Sequence, residues 1–404
     1  MTTIVGTDLS SAPRSDLDPY ADDFLTDPFP ALAALRAAGP AVHLTRYDAW
    51  AVSRYTDVHA VLRDHERFTS TAGVGLANLD DDAYGWRPRS LLLELDPPQH
   101  TVNRAAVVSA MTPRALRSFQ ELFDAAADDI VARLVVRRDF DAVTDLAQVF
   151  PTHVFPRALG VDADRPDDLL AYGAVSFNAI GPRNQRLLDS MAAVEGVLDW
   201  ITGQCQRAAL EDGSIGAAVR DAADRAGLSN QDTAGLVRSL FSAGVDTTVS
   251  GLAFAVRNLA RDPEQWDLLR SDPTLARNAF EETIRVESPV IGFYRTAATD
   301  VTIGDVSVPA GAKVLVFYAG SNRDPHQFPD PDRFDIQRKV AGHVGYGAGP
   351  HVCAGMTIAR MEGESVLGAL ATHVRNWTLT GQPRVRLNNS LRNLASLPVH
   401  VEPA

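Results

Sequence analysis

Cysteine is nearly absent from this chain of 404 residues, which contains only Cys205 and Cys353. A disulfide framework needs several paired cysteines and is typical of small secreted domains. Two thiols in a chain of this length are expected to stay reduced, as in the cytosol. The scarcity of cysteine therefore argues against a disulfide scaffold.

Basic residues are also scarce. The chain has 38 Lys and Arg residues against 51 Asp and Glu residues, which gives a formal net charge of -13 and a pI near 5.2. Affinity for nucleic acid depends largely on clustered Lys and Arg side chains that neutralise phosphates. Nucleic acid is therefore not an expected partner.

The chain lacks the segments that direct a protein into or across a membrane. Its first thirty residues are rich in aspartate and contain neither a basic segment nor an apolar run, so we expect no secretion signal and no N-terminal anchor. No other uncharged apolar run reaches the length of a membrane span. These features predict a cytoplasmic protein with no membrane partner.

Internal repeats and low-complexity linkers are absent as well, which favours one large domain over residues 1–404. Residues 1–28 are rich in Asp, Ser and Pro and are predicted to form an irregular N-terminal arm. Hydrophobic residues make up 45% of the chain, enough for a large core. The apolar spacing is mostly helical, and it predicts long helices over 113–133 and 187–210.

The longest predicted helix begins after Ser229, which forms a capping pattern with Asp232, and it ends before Pro263. Residues 242–248 (Ser-Ala-Gly-Val-Asp-Thr-Thr) lie in its middle and form helix poorly, so we expect a local bulge there. Charged residues exclude a membrane span and heptads are absent. We therefore expect this helix to cross the protein's own core.

Residues 345–355 read Gly-Tyr-Gly-Ala-Gly-Pro-His-Val-Cys-Ala-Gly and present Cys353 just before a helix. The glycines permit positive φ, and Pro350 stiffens the turn. A helix N-terminus favours a thiolate, so this position predicts a lowered thiol pKa and a metal ligand. A buried structural cysteine is the usual interpretation of a lone thiol, but the spacing of the glycines, His351 and Cys353 favours the ligand.

Two charged patterns have an ordinary explanation when each is considered alone. His100 and Arg104 are four residues apart on one helix face, which is usually a solvated face, although the pair would suit a cofactor that carries carboxylates. Glu282 and Arg285 are three apart and would usually be a surface ion pair.

In chain order, these two patterns, the segment 243–248, a Pro-rich meander containing Arg333, and the cysteine loop resemble the cytochrome P450 family over nearly the whole chain. The resemblance implies a mainly α fold, with a large helical domain and a small β-rich region. It also implies haem b (heme, iron protoporphyrin IX) between the long central helix and the cysteine loop. The family usually has phenylalanine where this chain has Tyr346.

The resemblance also implies residue roles. Cys353 would supply the axial thiolate, which favours O–O cleavage and hence monooxygenation with O2. Asp246 and Thr247 would relay protons to the bound oxygen. Glu282 and Arg285 would form a buried structural triad with an arginine of the meander, read at Arg333. The residues that would pair with the haem propionates are His100, Arg104, Arg295 and His351.

Three segments resemble the bacterial branch of the family that oxidises para-substituted benzoates, notably 4-methoxybenzoate. They are 86–90 (Trp-Arg-Pro-Arg-Ser), 177–184 (Phe-Asn-Ala-Ile-Gly-Pro-Arg-Asn) and 238–242 (Arg-Ser-Leu-Phe-Ser). The implied activity is hydroxylation or O-demethylation of a small aromatic carboxylic acid. Ile180 stands where an aromatic residue is expected in that branch. The carboxylate would be held by Arg87, Ser90, Arg238, Ser239 and Ser242, between apolar walls made by Phe177, Ile180, Val290 and Phe293.

The resemblance implies a [2Fe-2S] ferredoxin with its reductase as the electron donor, since the 404 residues contain no flavin or iron–sulfur pattern of their own. Arg360, on the helix after the cysteine loop, is a candidate contact for an acidic partner, and a solvated helix face is the alternative.

Other functions stay open at this point. A P450 could act on another small hydrophobic or natural-product substrate. A non-catalytic haem sensor or carrier would lack the proton relay of Asp246 and Thr247. A thiol hydrolase using Cys353 and His351 is disfavoured, because residues two apart on a rigid turn do not readily aim at one substrate.

Overall fold

The computed structural model describes residues 12–80, 87–162 and 164–404, so residues 1–11, 81–86 and 163 lie outside the description. Helices make up most of the described residues, as the sequence predicts. The α-helices are, in chain order, α1 (Asp22–Thr26), α2 (Phe29–Ala38), α3 (Tyr55–Arg63), α4 (Gln99–Ser109), α5 (Pro113–Arg137), α6 (Val149–Leu159), α7 (Pro166–Asn178), α8 (Gln185–Ala193), α9 (Val197–Gln204), α10 (Ile215–Arg225), α11 (Asn230–Gly244), α12 (Asp246–Arg261), α13 (Pro263–Ser271), α14 (Ala276–Glu287), α15 (Tyr318–Ser321) and α16 (Met356–His373).

The strands form small sheets at the edge of the helical body. They are β1 (Arg14–Ser15), β2 (Val42–Leu44), β3 (Ala49–Val52), β4 (Phe68–Thr69), β5 (Asp139–Asp141), β6 (Gly292–Ala297), β7 (Val301–Ile303), β8 (Val306–Val308), β9 (Lys313–Phe317), β10 (Val374–Leu379), β11 (Arg384–Leu387), β12 (Arg392–Ser396) and β13 (Pro398–Pro403).

The largest sheet has the strand order β1-β2-β3-β9-β6-β4. Its central pair β3 and β9 is parallel, with Trp50 opposite Val314, and β6 lies antiparallel to β9, with Arg295 opposite the same Val314. A three-stranded sheet has the order β10-β13-β5, while β11-β12 and β7-β8 form hairpins. The β6 pairing matters for function, because it fixes the backbone position of Arg295.

The long central helix is interrupted at the predicted place. The side chain of Ser229 caps α11 by accepting from the Asp232 amide, and α12 continues to Arg261 after Val245 departs from helical geometry at φ -106° and ψ -67°. Gly244, beside the break, admits the ring of Phe155, since a Cβ there would lie 2.2 Å from that ring. The span Asn230–Arg261 is long and apolar enough to cross a membrane, but it is mostly buried inside the protein, as expected for a core helix.

Two predicted helices differ from the structure in length. The helix predicted over 113–133 continues to Arg137, with its N-terminus capped by Thr112, whose side chain accepts from the Ala115 amide. The single helix predicted over 187–210 is wrong, because the chain forms α8, α9 and a short 3-10 turn instead. The physical reason lies between α8 and α9, where Gly196 adopts a left-handed φ of 78° that a continuous right-handed helix excludes.

The described part of the N-terminal arm, residues 12–28, is more ordered than predicted. Ser15 in β1 pairs in parallel with Leu44 of β2, and α1 buries Phe24 and Leu25. An apolar pair within an otherwise polar segment supplies enough burial to fix it against the sheet.

A buried ionic network fixes the chain that leads to the cysteine loop. Glu282 and Arg285 form a bidentate pair at 2.7 Å, and both side chains are fully buried. The second arginine on Glu282 is Arg338 at 3.0 Å, and the prediction of Arg333 is therefore wrong. The carbonyl of Arg333 turns inward to accept from Arg285 at 3.2 Å, and this orientation leaves the Arg333 side chain exposed.

Candidate functional site

A cavity of about 210 Å³ lies between the central helix and the loop that carries Cys353. Most of its walls are apolar, and the polar groups are gathered at a few positions. Nine of the residues singled out from the sequence line this cavity: Arg104, Phe177, Ser239, Thr247, Val290, Phe293, Arg295, His351 and Cys353. The fold therefore brings together residues that are up to 249 positions apart, counting from Arg104 to Cys353 (353 minus 104).

Local backbone geometry presents Cys353 to this cavity. Gly347 and Gly349 have positive φ values of 76° and 69°, and a Cβ on Gly349 would lie 2.4 Å from the carbonyl oxygen of Leu62. Glycine is therefore needed at residue 349 for both conformation and space. The Cys353 amide donates to the Tyr346 carbonyl at 2.8 Å, which closes the loop.

The thiol pKa of Cys353 differs from the sequence-based expectation. The Cys353 side chain is exposed to the cavity but enclosed by the protein around it, and this enclosure raises the pKa of Cys353. It outweighs the amides of Gly355 and Met356 and the charge of Arg104, which favour the thiolate as expected at a helix N-terminus. The prediction of a lowered pKa is therefore wrong for the protein alone. The donors that favour a thiolate are in place, and an additional positive charge near the sulfur would act in the same direction.

A histidine pair lies at one end of the cavity. The rings of His100 and His351 are 4.2 Å apart between centroids. His351 Nδ1 lies 3.2 Å from the Leu92 carbonyl oxygen, and its Nε2 lies 3.5 Å from Asp96. His100 is buried, and its Nε2 has no hydrogen-bond partner among the described residues. Burial and the neighbouring His351 and Arg104 lower the pKa of His100 to about 4, so this ring is neutral at pH 7.

Two arginines approach the same end of the cavity. Arg104 extends from α4 one helical turn after His100, and Arg295 extends from β6, where its Nη1 donates to the Tyr294 carbonyl at 2.8 Å. The orphaned His100 nitrogen and two guanidinium groups on one cavity wall are suited to carboxylates of a bound group. With the Cys353 sulfur on another wall, the residues present fit haem b, whose iron takes a thiolate and whose edge carries two propionates.

Asp246 and Thr247 face different surroundings. The Thr247 side chain lines the cavity and donates to the Ala243 carbonyl at 2.9 Å. Asp246 is buried against Gly173 of α7, where an added Cβ would lie 2.8 Å from the carboxyl carbon. Its Oδ2 has no hydrogen-bond partner among the described residues. Burial, only partly offset by Arg386, raises the pKa of Asp246 to about 7.

The sequence analysis missed a second buried acid, which lies on the cavity wall, whereas Asp246 does not. Glu362 of α16 lines the cavity and accepts from the Thr248 hydroxyl at 3.1 Å, which joins the helix after the cysteine loop to the central helix. Burial raises the pKa of Glu362 to about 8. A signal was available in the sequence, because Glu362 interrupts an apolar stripe at four-residue spacing between Ile358 and Val366.

The residues predicted to hold a carboxylate come from two elements that meet. The hydroxyl oxygens of Ser90 and Ser239 lie 3.4 Å apart, although the residues are 149 positions apart in the sequence. Arg238 lies beside them and donates to the Arg89 carbonyl at 3.2 Å. Ser242, one turn further along α11, donates to the Ser239 carbonyl at 3.1 Å. Ser239 lines the cavity, and Ser90 stands directly behind it.

Arg87 makes a contact that the sequence analysis did not include. Its two terminal nitrogens donate to the buried carboxylate of Glu94 at 2.9 and 2.7 Å. The same carboxylate accepts from the Ser90 amide at 2.8 Å. Hydrogen bonds and the charge of Arg87 overcome burial and lower the pKa of Glu94. Glu94 therefore holds both Arg87 and Ser90, whereas Trp86 and the rest of 81–86 lie outside the described residues.

The four apolar residues predicted to contact substrate are all packed in one hydrophobic cluster. Phe177, Val290 and Phe293 line the cavity, while Ile180 lies one turn beyond Phe177. The Ile180 carbonyl accepts from the Leu76 amide at 2.9 Å, which ties the end of α7 to the loop after β4.

Arg360 is not a freely solvated group. Its guanidinium donates to the Glu281 carboxylate at 2.8 and 2.7 Å and lies 5.3 Å from the Tyr346 ring centroid. His343 is a further neighbour of Glu281 at 3.2 Å. Burial, followed by the charge of Glu281, raises the pKa of Tyr346 well above its ordinary value. The phenol that replaces the usual phenylalanine is therefore neutral.

A predominantly helical fold with a cysteine thiol, cationic and histidine groups suited to carboxylates, and an apolar cavity is typical of a haem–thiolate protein. Residues 208–402 match the family model for cytochrome P450. Cytochrome p450 CYP199A2 of Rhodopseudomonas palustris is 43% identical over 396 residues, covering 98% of this chain and 96% of the relative. The epothilone C/D epoxidase of Sorangium cellulosum is 31% identical, covering 97% of this chain and 96% of the relative.

Solved structures of cytochromes P450 have the same fold as this chain. The structure of cytochrome P450 CREJ in complex with (4-ethylphenyl) dihydrogen phosphate has a TM-score of 0.86 at 26% identity, and it covers 95% of this chain and 99% of that one. P450BioI in complex with an acyl carrier protein ligated to hexadec-9Z-enoic acid has a TM-score of 0.84 at 26% identity, covering 94% and 100%. The chain belongs to the cytochrome P450 family and is a monooxygenase that uses haem b, O2 and a redox partner.

Proposed function

We propose that this P450 hydroxylates or O-demethylates a small aromatic carboxylic acid such as 4-methoxybenzoate, with Cys353 as the axial ligand of haem b. The observation that carries this proposal is the pair of hydroxyl groups of Ser90 and Ser239, 3.4 Å apart at the edge of an apolar cavity. The resemblance of 86–90, 177–184 and 238–242 to the branch that oxidises para-substituted benzoates supports the same substrate class.

The carboxylate of the substrate would be anchored by hydroxyl groups rather than by an unpaired arginine. A carboxylate taken out of water needs compensating donors. Ser239 lines the cavity and Ser90 stands behind it, while Arg238 adds positive charge and Ser242 lies one turn away. Arg87 would act indirectly, because its guanidinium forms an ion pair with Glu94. The Glu94 carboxylate in turn accepts from the Ser90 amide at 2.8 Å and so positions Ser90.

The ring of the acid would lie between apolar walls. Phe177 lies in the last turn of α7 and Ile180 just after it, while Val290 precedes β6 and Phe293 lies within that strand. With the carboxylate fixed at the serine pair, these walls would direct the para substituent toward the side of the cavity that Cys353 lines. Oxidation of a para-methoxy carbon yields a hemiacetal, which collapses to a phenol and formaldehyde.

Haem b, when bound, supplies the binding and activation of O2 at iron. Cys353 would hold the iron, while Arg104, Arg295, His351 and the unpartnered Nε2 of His100 would hold the propionates. The Thr247 hydroxyl, which lines the cavity, would hold a water at the oxygen-binding side. Asp246 would supply protons, since a pKa of about 7 permits both protonation states near neutral pH.

Electrons would come from a [2Fe-2S] ferredoxin with its reductase, and the location would be cytoplasmic. The whole of 1–404 would act as one P450 domain. A different substrate class is the second candidate, because relatives at 30 to 34% identity include a linalool 8-monooxygenase and the cytochrome P450 monooxygenase PikC.

Spectral titration with 4-methoxybenzoate and its methyl ester tests the substrate class. A fitting ligand displaces water from haem iron and shifts it to high spin, so the spectrum reports occupancy. Ser239→Ala should weaken binding of the acid by tenfold or more, since a hydrogen bond to a charged group contributes about 1.5 to 3 kcal/mol. The ester should bind the variant and the wild type about equally.

Ser250→Ala is the matched control, because Ser250 lies on the same long helix but bonds to the Asp246 carbonyl and to Asn393. It should leave the affinities for acid and ester unchanged. Failure of the acid to bind the wild-type protein would overturn the substrate class. Equal weakening of acid and ester by Ser239→Ala would overturn the anchor alone.

A further inference from the structure

Three consecutive polar residues are almost completely buried between β11 and β12. Asn388, Asn389 and Ser390 each have only 3% of their surface exposed. Buried amides and hydroxyls are costly unless they are hydrogen-bonded. None of the three lines the cavity, so their role is inferred from the groups to which they are hydrogen-bonded.

All three side chains donate to backbone carbonyls in the last turns of α7. Asn388 donates to the Ala174 carbonyl at 3.1 Å, Ser390 to Phe177 at 2.7 Å, and Asn389 to Asn178 at 2.9 Å. The Phe177 and Asn178 carbonyls have no partner within the helix and also accept from the Ile180 and Gly181 amides at 3.2 Å, so the buried side chains add second hydrogen bonds there. The triplet is therefore a C-terminal cap that comes from a segment more than 200 residues away in the sequence.

Asn389 forms further hydrogen bonds through its backbone amide and its side-chain amide. Its backbone amide donates to the Asn178 side chain at 2.8 Å, and its side-chain amide exchanges hydrogen bonds with Asn184 at 2.9 and 3.1 Å. Asn184 in turn caps the start of α8. Gly181 makes room for this contact, because a Cβ there would lie 2.6 Å from the Asn389 side chain. The connection between α7 and α8 is thus fastened at both ends.

The same segment also bonds to the chain that carries Val290 and Phe293, which line the cavity. The Ser390 carbonyl accepts from the Ile291 amide at 2.9 Å, and a bridge pairs Leu391 with Val290. The Arg392 amide donates to the Pro289 carbonyl at 2.8 Å. Residues 388–392 therefore connect the backbone beneath Phe177 directly to the backbone beneath Val290.

We propose that Asn388, Asn389 and Ser390 form a specificity-determining clamp that sets the separation of the Phe177 wall from the Val290 and Phe293 wall. The three are positioning residues, since they reach the substrate only through α7 and the segment 289–293. By fixing both walls to one hairpin, the clamp limits the width of para substituent that the cavity accepts. The inference rests on the proposed function only for its benzoate probes.

The test compares ligand selectivity in Ser390→Ala with that in Ser396→Ala. Ser390→Ala removes one bond to α7, and Ser390→Thr keeps the hydroxyl. Ser396 is a buried serine on the same hairpin whose hydroxyl bonds to Asp141 instead, so Ser396→Ala loses one buried hydrogen bond without touching α7. Each haem-loaded variant is titrated with 4-methylbenzoate and 4-tert-butylbenzoate, and with imidazole and 4-phenylimidazole, which bind haem iron without a carboxylate.

If the clamp exists, Ser390→Ala should bind the larger ligand of each pair (4-tert-butylbenzoate or 4-phenylimidazole) more favourably relative to the smaller one. The ratio of the two affinities should change by threefold or more. The clamp also predicts that Ser390→Thr restores the ratio and that Ser396→Ala leaves it within twofold of the wild type. Unchanged ratios in Ser390→Ala, or equal changes in both alanine variants, would reduce the triplet to a structural role and overturn the proposal. If no benzoate binds the wild type, the substrate class fails, and the imidazole pair alone decides the clamp.

Discussion

The carboxylate of Asp246 and the hydroxyl of Thr247 are adjacent in sequence but meet different surroundings. Thr247 lines the cavity, whereas Asp246 is buried against Gly173 of α7. The departure from helical geometry at Val245 immediately precedes both residues. The two side chains therefore cannot act as one group. In our proposal they occupy successive places on a proton path, with Thr247 next to the oxygen and Asp246 behind it.

Thr247→Ala should separate oxygen consumption from product formation. The variant loses the hydroxyl that would hold water at the oxygen-binding side, so proton delivery to the bound oxygen should be misdirected. More of the reducing equivalents should then be released as hydrogen peroxide. We expect haem content and substrate affinity to stay near wild type while the ratio of product to NAD(P)H consumed falls severalfold. The measurement is that ratio together with peroxide yield in a reconstituted system.

Thr233→Ala provides the control for this experiment. Thr233 is a buried threonine on α11 that does not line the cavity. Its coupling ratio should equal that of the wild type. Wild-type coupling in Thr247→Ala would contradict the assigned role of Thr247.

Glu362 should give the protein a measurable pH dependence of stability. Burial raises its pKa from 4.5 to about 8, so between these values the folded chain holds a proton that the unfolded chain has released. The free energy of unfolding from this group therefore falls as pH rises, by up to about 1.4 kcal/mol per pH unit. Its stabilising contribution is full below about pH 4.5 and is lost by about pH 8.

Glu362→Gln should remove that slope, so the variant should gain stability relative to the wild type between pH 5 and pH 8. Chemical denaturation at several pH values measures the difference. Glu364→Gln makes the same chemical change at a half-buried position two residues along the same helix, away from the cavity lining, and is the control. A parallel pH profile for wild type and Glu362→Gln would show that Glu362 titrates normally in the folded protein.

Arg360 should matter for stability more than for docking of an electron donor. Glu281 is buried and Arg360 is half-buried, so Arg360→Ala would leave the Glu281 carboxylate with His343 as its remaining ion-pair partner, at a cost of about 1.5 to 3 kcal/mol. Arg375→Ala, which breaks the exposed pair with Glu402, should cost less than about 1 kcal/mol. Equal losses in the free energy of unfolding would contradict the buried character of the Arg360 pair.

Much of this architecture could be predicted from local sequence patterns. The start of α5 at Pro113, the Ser229 cap and the break near Val245 follow from apolar spacing, capping residues and poor helix formers, which act within a few residues. The cysteine loop was predictable for the same reason, because positive φ at Gly347 and Gly349 is a local requirement.

Partners distant in sequence were not predictable. Nothing near Glu282 indicates that Arg338 rather than Arg333 completes its ion pairs, because the choice depends on how the meander backbone wraps around Arg285. Glu94 was missed as the partner of Arg87, and the Cys353 pKa was misjudged, since burial is a property of the whole fold and not of the helix N-terminus alone.

The proposed monooxygenase activity depends on Cys353 as the thiolate ligand of haem iron. The reduced-CO difference spectrum tests that ligand directly, because thiolate ligation shifts the Soret band of the carbonyl complex to ~450 nm. We predict this band for the wild-type protein and its loss in Cys353→Ser, even where that variant retains haem. A wild-type band far to the blue in folded protein, or an unchanged band in Cys353→Ser, would contradict the assignment.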